Sequence, residues 1–100
     1  MKQKLTAKTI IKRLEENKAG MKLFSVKRIA LFGSFIHDNQ SEKSDIDILV
    51  ELKEETFSNF INLKFFLEDL FGRKVDLVTE EGLKPRLKYI KEEAIYAKVA

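Results

Sequence analysis

Apolar residues recur at helical spacing at the start of the chain. Leu5, Ala7, Ile10, Ile11 and Leu14 are separated by Lys and Glu, which predicts an amphipathic helix. Asn17 to Gly20 supplies its stop, and Met21 to Lys27 reads as a further short turn or a loop. The pattern then changes. Val26 to Phe32 becomes a continuous apolar run, as in a buried strand, and Gly33-Ser34 ends it. Phe35 to Lys43 turns polar after two residues and predicts a short helix or loop. Asp45 to Leu52 is β-branched and bounded by charge, a second strand. Over Phe57 to Phe71 the helical period returns, with Phe60, Leu63, Phe66, Leu67, Leu70 and Phe71 on one face and Gly72 as the stop. Lys74 to Val78 predicts a third strand. Pro85 suits a first helical turn, and Leu87, Ile90 and Ala94 continue a last helix. Strands alternating with helices define an α/β fold class, a small mixed sheet flanked by helices.

Composition fits one soluble domain over residues 1–100, with a basic helical segment at 1–25 leading a core at 26–96. The 100 residues are 44% hydrophobic and 35% charged, an ordinary globular balance. There are no cysteines, which excludes disulfide scaffolds, thiolate zinc sites and thiol nucleophiles. The longest stretch free of Lys, Arg, Asp and Glu, Ile29 to His37, is far short of the ~20 residues of a membrane span. Lysines interrupt every apolar run near the N-terminus, so no signal peptide is expected, and the chain reads as cytoplasmic.

Net charge is +3, unevenly spread: residues 1–30 carry nine Lys/Arg and two Glu, residues 31–100 ten Lys/Arg and fourteen Asp/Glu. A basic leading segment can be a nucleic-acid arm or simply a solvated helix face. The candidate site in the body is acidic, which argues against a polyanion ligand.

That site rests on Gly33-Ser34, Asp45-Ile46-Asp47 and Asp76. Alternation along a strand sends Asp45 and Asp47 to one face, ~7 Å apart at the backbone. Asp76 interrupts an otherwise apolar strand, and if that strand lies beside the first its carboxylate joins them. Three acids on one face repel unless a cation compensates, and carboxylate oxygens are what Mg²⁺ prefers. Gly33-Ser34, between a strand and a helix, offers backbone N–H groups and a hydroxyl to a phosphate.

Leu31-Phe32-Gly33-Ser34 with Ser44-Asp45-Ile46-Asp47-Ile48-Leu49-Val50 resembles the signature of the DNA polymerase β-type nucleotidyltransferases. Chain size and the tail Leu83-Lys84-Pro85-Arg86-Leu87, then Glu93-Ala94-Ile95-Tyr96, look like its minimal members, the MntA-like antitoxins of HEPN/MNT toxin–antitoxin pairs. The resemblance implies a polymerase β-like fold, ATP as substrate and Mg²⁺ as cofactor. It also implies transfer of AMP to a hydroxyl, a tyrosine of a partner HEPN toxin. Asp45 and Asp47 would hold the metal, Asp76 would be the third ligand and orient the acceptor, and Gly33 and Ser34 would hold the triphosphate. One departure stands out: the family often reads x-Ala/Val-Arg-Gly after Gly-Ser, where this chain has Phe35-Ile36-His37-Asp38. An acid near a triphosphate and the loss of a permanent cation lower the expected catalytic vigour.

Three other readings stay open: an antitoxin that neutralises by binding alone, an enzyme with a small acceptor, and a nucleic-acid adaptor using the basic segment. Phe57, Ile61 and Phe65 lie off the main stripe of their helix. They either pack under the protein's own loops or form a surface for a partner or a second copy.

Overall fold

Leu5 to His37 and Ser44 to Val99 are the residues described by the computed structural model. Helix α1 (Ala7–Glu16) begins at a reciprocal cap: the Thr9 amide donates to Thr6 Oγ1 at 3.2 Å, and the Thr6 amide donates to Thr9 Oγ1 at 2.9 Å. It buries Ile10 and Leu14, with its lysines outward. The expected stop at Asn17 to Gly20 is only half right. Asn17 caps α1, but a short helix α2 (Lys18–Lys22) runs through Gly20. A side chain at Gly20 would press on the Phe66 ring at 3.0 Å. That glycine serves helix packing rather than chain termination.

Strand β1 (Val26–Phe32) leads into a single 3₁₀ turn (Gly33–Phe35), and β2 (Ile46–Leu52) returns antiparallel to it. Helix α3 (Phe57–Phe71) then crosses over to β3 (Val75–Thr79), which pairs parallel with β2. Short helices α4 (Glu80–Leu83) and α5 (Leu87–Glu93) follow, and β4 (Ile95–Tyr96) closes against β1. The sheet order is β3-β2-β1-β4, mixed as expected. The α4 helix and β4 were not legible in the pattern. Each spans only about one period, too few for a repeat to show, and the tail residues Ala97 and Val99 are buried in the core.

The sheet has a fully covered face and a partly covered one. Ile29, Leu31, Ile46, Ile48, Val50, Val75 and Leu77 meet α1, α2 and α3 in the main core. On the other face Ala30 and Leu49 meet Leu83, with Phe32, Val78, Leu87, Ile90 and Ala94 around them. Asp47 and Asp76 lie on that same face, at the N-terminal ends of β2 and β3, beside Phe32 of the smaller cluster.

Helix α3 starts at Thr56, whose hydroxyl accepts from the Asn59 amide at 3.0 Å, and ends at Gly72 in the left-handed conformation (φ 60°). Leu63, Leu67 and Phe71 are buried, and Phe66 meets the Phe24 ring at 5.6 Å. Phe57 and Phe65 remain 80% and 57% exposed, so the protein's own described residues do not cover them. Leu67→Ala should therefore cost about 2–5 kcal/mol, whereas Phe65→Ser should stay within about 0.5 kcal/mol in the same denaturant titration. Among the described residues no helix is long and apolar enough to cross a membrane.

Candidate active site

Strand alternation builds the site. Ile46, Ile48, Val75 and Leu77 are held in the core, so Asp47 and Asp76 are turned to the opposite face. The parallel register then sets Asp47 directly beside Asp76, and the antiparallel one sets Phe32 beside Asp47. The two carboxylates are close enough to repel each other, and Asp76 favours the protonated form of Asp47. Asp45 falls one residue before β2 begins and is exposed, within electrostatic reach of Asp47 rather than in the same contact.

Gly33 and Ser34 close the site from β1. Gly33 has φ 79°, and a Cβ there would overlap the Asp47 carboxylate outright, with Cγ at 2.8 Å. The Ser34 backbone N–H lies near the Asp47 carboxylate and favours its charged form. The structure alters the sequence expectation in one way: the helix expected after Gly-Ser is one 3₁₀ turn within the described residues. Asp38 lies outside the described residues. His37, at the far end of the turn, shares a hydrogen bond of 3.0 Å between its Nε2 and Glu93 Oε2 on α5.

Burial, then repulsion from Asp76 and Asp45, raises the Asp47 pKa above its ordinary value of 3.8, and the Ser34 amide only partly offsets this. Among the described residues no group of three His, Cys, Asp or Glu side chains converges tightly enough to hold one ion. What is preformed is a two-carboxylate half-site. Its donors are hard oxygens under mutual repulsion, and Mg²⁺ is commonly held by one or two carboxylates plus substrate phosphates. The residues present therefore fit Mg²⁺, with Asp47 and Asp76 as the pair and Asp45 at the mouth.

Sequence reasoning missed Arg73, which positions this end of the sheet. Its guanidinium lies over the Phe35 ring at 5.6 Å, and its Nη1 donates to the Ser44 carbonyl at 3.3 Å, just before Asp45. Placed directly after a helix-stopping glycine, it gave no local signal. Two grooves lie elsewhere. One of about 860 Å³, lined by Lys27, Arg28, Lys91 and Tyr96, sits at the β1–β4 edge, and one of about 290 Å³ lies beside Glu51, Glu80 and Leu87. Neither is lined by the aspartates.

A mixed four-stranded sheet with a glycine-serine turn beside paired aspartates is the arrangement that the resemblance to polymerase β-type nucleotidyltransferases implies. Comparison with known proteins agrees. Residues 7–98 match the family described as "Nucleotidyltransferase domain". The protein adenylyltransferase MntA of Thermococcus cleftensis is 40% identical over 75 residues, 73% of this chain and 76% of that protein. MJ0128 of Methanocaldococcus jannaschii, whose name assigns it provisionally to the protein adenylyltransferases, is 49% identical over 76 residues, 73% of this chain and 78% of that one. A solved structure described, again provisionally, as a minimal nucleotidyltransferase superposes with a TM-score of 0.79 at 33% identity, covering 94% of this chain and 98% of that one. A chain of a crystal structure described as a toxin–antitoxin with AMP-PNP gives a TM-score of 0.64 at 26% identity, over 92% of this chain and 72% of that one. The chain belongs to the nucleotidyltransferase-domain family and, within it, to the minimal MntA-like enzymes.

Proposed function

We propose that this chain transfers AMP from ATP to a tyrosine hydroxyl of a HEPN-type toxin and so acts as its antitoxin. The observation that carries this reading is the side-by-side register of Asp47 and Asp76 under the Gly33–Ser34 turn. Asp47 and Asp76, with Asp45, would hold Mg²⁺, which when bound neutralises phosphate charge. Gly33 and Ser34 set the triphosphate against that pair. Asp76, the more exposed of the two, faces incoming acceptors, orients the hydroxyl and takes its proton. The acceptor oxygen forms a bond to the α-phosphorus as the bond to pyrophosphate breaks, a reaction that asks for positioning and charge compensation.

Two further points support a protein acceptor. Neither groove described above is lined by the aspartates, so a partner would complete the acceptor side. The exposed Phe57 and Phe65 offer apolar area for such a partner or for a second copy. Neutralisation by binding alone is the second reading. It is favoured by the His37–Glu93 bond, which ties up the side chain standing where the resembling family often has Arg.

The test is incubation of the purified chain and its toxin with ATP and Mg²⁺, followed by intact-mass and peptide analysis of the toxin. Gain of one AMP on a tyrosine is the expected result. A toxin that is silenced yet unmodified would leave the binding-only reading in its place.

A further inference from the structure

Helix α5 lies on the same sheet face as the aspartates, and its two flanks are fastened at different places. Leu87, Ile90 and Ala94 face the sheet. At 3.6 residues per turn, Lys91 then falls on one flank and Glu93 on the other. Lys91 Nζ pairs with Glu80 Oε1 at 2.7 Å, where β3 passes into α4, the end of the sheet remote from Asp76. Glu93 bonds His37, three residues beyond Ser34. The Glu93 flank therefore borders the aspartate site.

Tyr89 lies four residues before Glu93, so the two side chains are neighbours on that flank, about one helical turn (~5.4 Å) apart. Its ring is 70% exposed and makes no hydrogen bond, ion pair or ring contact among the described residues. The other strongly exposed aromatics are placed differently: Phe57 and Phe65 are on α3, across the sheet, and Tyr96 lines the basic groove. A flat, unpartnered ring on the flank that His37 and Glu93 join to the phosphate turn offers a face suited to a purine.

We infer that Tyr89 is the stacking platform for the base of the nucleotide donor, held in place relative to the 33–37 turn by the His37–Glu93 bond. This rests on the reading that the turn receives the triphosphate. Stacking has little preference among purines, so ATP and GTP should bind alike and pyrimidine triphosphates more weakly.

The chain has two tyrosines and no tryptophan, so Tyr96→Phe leaves Tyr89 as the sole tyrosine emitter. In that background, ATP with Mg²⁺ should quench tyrosine emission, while inorganic tripolyphosphate with Mg²⁺ binds by calorimetry without quenching. Tyr89→Ala should weaken ATP roughly tenfold and leave tripolyphosphate unchanged, and Tyr89→Phe should bind ATP as the parent does. ATP that binds without quenching, or equally to Tyr89→Ala, overturns the assignment of Tyr89 alone. If neither ATP nor tripolyphosphate binds, the phosphate-site reading falls and takes this inference with it.

Discussion

Asp47→Asn is expected to cut AMP transfer by roughly 10²–10³-fold or more while raising the melting temperature in metal-free buffer. The loss follows from removing one carboxylate of the preformed pair. The gain follows from the charge carried by the other. Asp47 is crowded by burial and by Asp76 and Asp45, and its pKa is raised above 3.8. The folded protein thus holds that proton more tightly than the unfolded chain. The group's favourable contribution is complete below about pH 3.8 and is lost as pH rises through the folded value. At neutral pH the ionised Asp47 opposes folding, and the amide removes that opposition. Thermal melts of both proteins in EDTA should show the variant ahead at pH 7 and the difference shrinking towards pH 4. A variant that is less stable than the parent at pH 7 without metal would contradict the repulsive pair.

Gly33→Ala should be the most damaging single-methyl change in the chain. An alanine at φ 79° costs about 1–2 kcal/mol in the backbone alone, and its Cβ would overlap the Asp47 carboxylate. Relief requires the turn or Asp47 to move, which also draws the Ser34 amide away from the carboxylate it favours. A total of about 2–3 kcal/mol corresponds to a fall of roughly 10–20 °C in melting temperature for a domain of this size. Transfer activity should be lost even at temperatures where the variant is folded. Ala at Gly72, where φ is 60° but no atom lies within 4 Å of the added carbon, is the control that isolates the backbone part. Equal losses at the two positions would show that the overlap with Asp47 contributes nothing.

The strands and α3 were legible because their apolar positions repeat over several periods. Val26–Phe32 was placed to the residue, and Phe57–Phe71 with its Gly72 stop likewise. The carboxylate pair was legible for the same reason: alternation in Asp47-Ile48 and Asp76-Leu77 fixes which face each acid takes. Other features depend on contacts distant in sequence. Gly20 looked like a stop because nothing local announces Phe66 against it. Arg73, Glu93 and β4 carry no periodic signature at all; each is defined by what the finished fold sets opposite it.

The crossover between β2 and β3 also has a kinetic side. β1 and β2 adjoin across residues 33–45, but β3 reaches β2 only after residues 53–74 have passed beneath the sheet as α3. A parallel pairing of this kind forms after its intervening helix has found its seat, because the loop must close before the strand contacts repay it. By that order the acids meet when most of the apolar core is already assembled. Their repulsion then acts mainly on the escape rate from the native state rather than on the rate of reaching it. The site's electrostatic strain shortens the lifetime of the folded molecule while leaving its assembly fast, and any cation that bridges the pair lengthens that lifetime.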